Sequence, residues 1–164
     1  MLSTGPSAQA GFTLTELIVT MLVIGILAVV AVPKMSTMSA VQQRSDRDKV
    51  FSALEYARKA AIAQRRYVCL SVSNSALSLT VDPNPPEATA IPFGGTCPFA
   101  NTLALPKPDP SCAATNQTCV KTTSISSTSG VFQFGPLGNA SAQVSVTVSG
   151  FSAITVESQT GYVH

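Results

Sequence analysis

The stretch Gly11-Phe-Thr-Leu-Thr-Glu-Leu-Ile-Val-Thr-Met-Leu-Val-Ile-Gly-Ile-Leu-Ala-Val-Val-Ala-Val-Pro33 sets one acid, Glu16, inside an otherwise uncharged apolar run. From Phe12 to Val32 there are 21 residues. At about 1.5 Å per helical residue they reach roughly the 30 Å of a bilayer core. The spacing therefore predicts a membrane-length helix over 12–33, with a bend at Pro33, where the missing N–H and the ring clash break the ladder. A secretory signal would carry a basic start, a shorter apolar centre and a small-residue cleavage site behind that centre. Here the small residue, Gly11, stands in front. An acid near the end of a lipid-embedded helix costs a few kcal/mol unless it finds a partner or reaches the interface. A Glu16 that simply reaches headgroup water is the plain alternative to a paired one.

Gly11, Phe12, Glu16 four positions later, and Pro33 after the apolar run together resemble the amino terminus of type IV prepilins. The resemblance implies that residues 1–11 are a leader and that a prepilin peptidase cuts between Gly11 and Phe12 and methylates the Phe12 amine. It further implies that 12–33 is both a transmembrane and a filament-core helix, and that Glu16 pairs with the Phe12 amine of a neighbouring subunit. The leader contains no Lys or Arg, while Lys34, Arg44 and Arg47 follow the apolar run. A count of flanking charges would leave the amino terminus outside. The resemblance puts it in the cytoplasm and residues 34–164 in the periplasm of a single-pass inner-membrane protein. That orientation is the one expected, since the signal is read by an enzyme at the Gly-Phe bond.

About 130 residues follow the apolar run, enough for one domain with a modest core. Net charge is only +2. Lys34 to Arg66 holds most of the cations against Asp46, Asp48 and Glu55, and reads as the solvated face of a helix rather than a nucleic-acid patch. The chain has one His and no Trp. Its Ser and Thr residues lack a neighbouring base, and no spaced cluster suits a metal. The expectation is no enzyme, no metal and no cofactor.

Four cysteines, Cys69, Cys97, Cys112 and Cys119, lack the close paired spacing of a zinc or redox motif, so disulfides are expected in an oxidising compartment. Three pairings are open; sequence neighbourhood favours Cys69 with Cys97 and Cys112 with Cys119. Loop entropy would give about 3 to 4 kcal/mol for the first and about 2 to 3 for the second, before strain.

Between Asp48 and Ile62, Val50, Phe51, Leu54, Ala57, Ala61 and Ile62 recur at helical spacing, with Glu55, Arg58 and Lys59 outside the stripe. After Arg66 the period becomes two. Val68, Leu70, Val72 and then Leu77, Leu79, Val81 read as a hairpin turning at Asn74-Ser75. Residues 82–128 hold most of the prolines and little periodicity, and are expected to form a long disulfide-stapled excursion facing partners. Alternation returns at Val131–Phe134, Val144–Val148 and Ile154–Val156. A long helix on antiparallel sheets makes an α+β domain.

The segments DKVFSALEYARKAAIAQRR (48–66), FQFGPLGNA (132–140) and ITVESQTGYVH (154–164) are similar to those of GspH/FimT-like minor pilins and pseudopilins. That resemblance implies a pilin-like fold and a subunit of a type II secretion pseudopilus or a type IV pilus, assembled with other pilins through its helix. Some FimT-like members carry arginines after the carboxy-terminal Gly in connection with DNA binding. Here Gly161 is followed by Tyr162, Val163 and His164, so the phosphate-neutralising cations are absent and nucleic acid is not the favoured partner. A filament-displayed receptor for DNA or a surface is the alternative.

Overall fold

The computed structural model describes residues 12–84, 97–121 and 123–164, and the side chains of all of these except 29–39. The expected leader 1–11 and the middle of the excursion, 85–96, lie outside the described residues. The chain divides into two units, Met1–Ala40 and Val41–His164. Helix α1, Leu14–Gln64, begins in the first and ends in the second.

In the first unit the hydroxyl and carbonyl oxygens of Thr13 accept hydrogen bonds from the N–H of Glu16 at 3.3 and 3.1 Å. Thr13 thus satisfies a donor that the first helical turn leaves open. Glu16 sits in that first turn, where the helix dipole favours an anion. Pro33 falls in the stretch whose side chains lie outside the described ones, so the expected bend stays an expectation. Among the described residues no helix is long and apolar enough to cross a membrane.

In the second unit the stripe on α1 is buried where the spacing put it: Val50, Leu54, Ala57 and Ala61 are inaccessible, with Ala53 and Ala60 beside them. Ile62, by contrast, is 42% exposed. The helix stops at an αL residue, Arg65 (φ 50°), and the Arg66 N–H bonds the Ala61 carbonyl at 3.1 Å, closing the last turn.

Strands β1 (Val68–Val72) and β2 (Ala76–Val81) form the expected antiparallel hairpin. Ser73 accepts the Ala76 N–H at 3.1 Å through its hydroxyl and fixes the turn at Asn74-Ser75. On the other side of β1 lies β6 (Val131–Phe134), also antiparallel. The outer edge of β2 is shared by two short strands, β3 (Asn101–Thr102) opposite Thr80 and Val81 and β4 (Gln117–Cys119) opposite Ala76 to Ser78. A second sheet has the order β5-β7-β8, with β5 at Ile125–Ser127, β7 at Val144–Val148 and β8 at Ile154–Val156. The core gathers the helix stripe, Leu70, Leu77, Leu79, Phe132 and Phe134 of the first sheet, and Val144, Val146, Val148, Ile154 and Val156 of the second. The fold is therefore the expected α+β arrangement of antiparallel sheets on a helix.

Within the excursion 82–128 lie the short strands β3, β4 and β5. Strands of two or three residues are too short to show a period. One reading of the sequence needs correction. Asp46, read as part of a solvated face, is fully buried and its carboxylate accepts from the Lys121 N–H at 3.2 Å, the Thr123 hydroxyl at 3.4 Å and Gln42 Nε2 at 3.3 Å. A buried carboxylate must be hydrogen-bonded, and this one ties α1 to the chain entering β5.

Candidate functional site

At the amino end the chemistry is carried by what is left uncovered. Phe12 is 80% exposed, and the apolar side chains from Leu14 to Leu27 are exposed on every side of the helix. A helix apolar all round needs lipid or other helices about it, since water cannot solvate it cheaply. Glu16 is exposed too, and its carboxylate has no side-chain partner among the described residues. Gly25 has open space where a Cβ would lie, leaving a flat place at which another helix could approach closely. Gly11, on one side of the expected cleavage site, lies outside the described residues.

At the other end of α1 a second constellation joins the two carboxy-terminal segments. The Arg58 Nε–H is shared between the carbonyls of Gly138 at 3.3 Å and Thr160 at 3.1 Å. Gly138 (φ 86°) and Gly161 (φ 60°) both adopt left-handed backbone, and a Cβ built on Gly161 would overlap the Gly138 carbonyl oxygen. Only glycine permits that approach. Thus FQFGPLGNA and ITVESQTGYVH, far apart in sequence, meet on one arginine of the helix. The chain beyond Gly161 is held by the isolated bridge of Val156 with Val163 and by the Thr155 N–H donating to the His164 carbonyl at 2.7 Å. Tyr162 and His164 stack at 5.3 Å.

The excursion forms the third element. Cys69 is joined to Cys97 and Cys112 to Cys119, with Cα atoms 5.9 and 5.6 Å apart. Cys69, Thr80 and Gln133 stand in one row across β2, β1 and β6, and all three are buried by the returning chain. Thr80 accepts the Phe99 N–H at 3.0 Å, and Gln133 Nε2 donates to Cys97 Sγ at 3.1 Å. Further on, Asn116 fills the gap between β3 and β4. Its carbonyl accepts the Leu79 N–H at 2.9 Å and its side-chain amide donates to the Leu79 carbonyl at 2.8 Å, continuing the ladder where neither short strand reaches.

Between this loop and α1 lies a cleft of about 720 Å³. Tyr56 donates to the Ala104 carbonyl at 3.0 Å at one end. Lys49 pairs with Asp109 at 2.9 Å near the other. The Ser111 hydroxyl at 2.6 Å, then the Lys49 ammonium and the Ser111 N–H, hold the Asp109 carboxyl down to about 2 from its ordinary 3.8.

Of the residues singled out from sequence, Phe12 and Glu16 share the exposed amino end and the four cysteines are paired in the excursion; the two groups belong to different units. Sequence reasoning missed Asp46, Asn116, Arg58 as a clamp and the Lys49–Asp109 pair. Lys49, Arg58, Gly138 and Gly161 had a signal, since they lie within the three segments that drew the narrower resemblance, whereas Asp46, Asp109 and Asn116 lie outside them.

Comparison with known proteins adds two findings. Residues 6–32 match the family described as the prokaryotic N-terminal methylation motif. The fold is similar to that of the type IV minor pilin FimU of Pseudomonas aeruginosa strain PAO1, in two crystal forms. One match has a TM-score of 0.50 at 13% identity, covering 76% of this chain and 88% of that chain. The other has a TM-score of 0.49 at 15% identity, covering 74% and 90%. No curated protein matches the chain significantly by sequence. The chain thus carries a type IV pilin-type amino-terminal motif and a pilin-like fold.

Proposed function

We propose that this chain is a minor pilin or pseudopilin, a non-enzymatic subunit held by its amino-terminal helix first in the inner membrane and then in a filament, with residues 34–164 periplasmic. A prepilin peptidase cuts after Gly11 and methylates the Phe12 amine. The observation that carries this reading is the uncovered helix: apolar on every side from Leu14 to Leu27, led by an exposed Phe12 and bearing one carboxylate with no partner in its own described chain. In lipid and in a fibre of helices those apolar faces are covered by the same kind of surface, so the helix can move from one to the other at small cost. Glu16 is different. Away from the interface it needs a cation, and the freed Phe12 amine of a neighbouring subunit supplies one, fixing the axial register. The motif over residues 6–32 and the FimU-like fold support the same reading. A type IV pilus and a type II secretion pseudopilus both fit it.

The test is Glu16→Val in the full chain, expressed with its assembly machinery. The expected result is a several-fold loss of subunit from sheared filaments, with unchanged membrane levels and an unchanged melting profile of the second unit. Normal incorporation of the variant would remove the register role of Glu16.

A further inference from the structure

The cleft beside α1 goes beyond the filament role, because its walls are held open. The Leu105–Pro110 segment is anchored by buried Leu103 and Leu105, by the Leu105 N–H donating to Thr115 at 3.0 Å, by Tyr56, by the Lys49–Asp109 pair and by the Cys112–Cys119 disulfide. A loop tied at so many points could pack flat on the helix. Instead Pro106, Pro108 and Pro110 line an open cleft together with Ser52 and Tyr56 of α1, and the ordering entropy of this wall is met in advance of any binding.

The chemistry of the lining selects the occupant. Asp109 is the one acid among the described residues lining the cleft, and it is consumed by Lys49 and Ser111. Lys107 and Lys121, both exposed, line it without an ion-pair partner among the described residues. The cleft therefore presents unpaired positive charge above a proline-rich apolar wall. Prolines have no N–H to donate, so the wall binds by apolar contact while the lysines supply polarity. A bare anion such as phosphate would leave the apolar wall uncovered. A cleft of about 720 Å³ is as large as those that bury a drug-sized ligand, which leaves room for only a few side chains of a partner. From this complementarity we infer that the cleft takes a segment of another polypeptide that carries both acidic and apolar side chains.

The experiment uses the full chain in non-ionic detergent micelles and a fluorescein-labelled peptide of alternating Glu and Leu, followed by anisotropy at low salt. The proposal expects saturable binding of this peptide and at least about tenfold weaker binding of its Gln-Leu counterpart. Lys107→Glu with Lys121→Glu should weaken binding by at least about tenfold, whereas Arg44→Glu with Lys59→Glu, an equal charge change off the cleft, should not. Ser52→Trp, which fills the cleft from the helix side, should abolish binding while circular dichroism shows the fold retained. Absence of saturable binding, equal binding of the Gln-Leu peptide, or equal loss in the Arg44 and Lys59 variant would overturn the proposal. So would Lys107- and Lys121-dependent binding of anionic phospholipid vesicles or random single-stranded DNA by a chain that ignores the peptide. Filament incorporation of Lys107→Glu with Lys121→Glu is measured in parallel, and it distinguishes failure of this inference from failure of the filament reading.

Discussion

Glu16 and Asp46 are both acids on helix α1 with opposite fates. Glu16 could be singled out from sequence because it is the only charge in an apolar run, and physics makes such a charge expensive. Asp46 lies among Arg44, Arg47 and Lys49, where a buried acid and a solvated one look alike; only the approach of the Lys121 N–H and the Thr123 hydroxyl reveals it. Gly161 illustrates the middle case. Its place in a recognisable segment was visible, but the reason, a contact with the Gly138 carbonyl, was not. Gly161→Ala should destabilise the second unit by about 3 kcal/mol, read by urea titration, because both φ and the backbone contact forbid a Cβ. Asp109 gives a pH prediction. Its folded carboxyl titrates below its ordinary value, so the Lys49–Asp109–Ser111 lock contributes fully above 3.8 and is lost as pH falls through about 2. The carboxyl carbon shift of Asp109 should show a midpoint near 2; a midpoint near 4 would mean the lock does not form in solution.

At the scale of elements, long segments were legible and short ones were not. The stripe of Val50, Leu54, Ala57 and Ala61 and the alternation of β7 carry a period over enough residues to be counted. On β1 and β2 the alternation is incomplete because the row Thr80, Cys69 and Gln133 is covered by the returning excursion, giving both faces something to bury. The excursion itself is organised by the needs of an edge. β3, β4 and Asn116 divide the open side of β2 among them, a pairing set by long-range contact that no local pattern announces. The end of α1 offers a test of its own. Arg65 occupies a left-handed position that costs a side-chain-bearing residue about 1 kcal/mol. Arg65→Gly should therefore raise stability by up to about 0.5 kcal/mol in thermal melts, after the entropy that glycine adds to the unfolded chain is deducted. A decrease would show that the Arg65 side chain makes a contact worth more than the strain.

For the whole molecule, a domain with its own core follows a helical stretch, Leu14 to Ala28, in which every apolar side chain is exposed. That asymmetry has no use in a free monomer in water; in the role proposed above, a membrane would cover the helix at one stage and a fibre at another. The account depends on the chain being freed at the Gly11–Phe12 bond, since only then does Phe12 offer an amine for a neighbouring Glu16. The direct measurement is the mass of the amino-terminal peptide from chain purified out of cells with an active prepilin peptidase. The account predicts a peptide beginning at a methylated Phe12. A chain that retains residues 1–11, or one cut elsewhere, would contradict it.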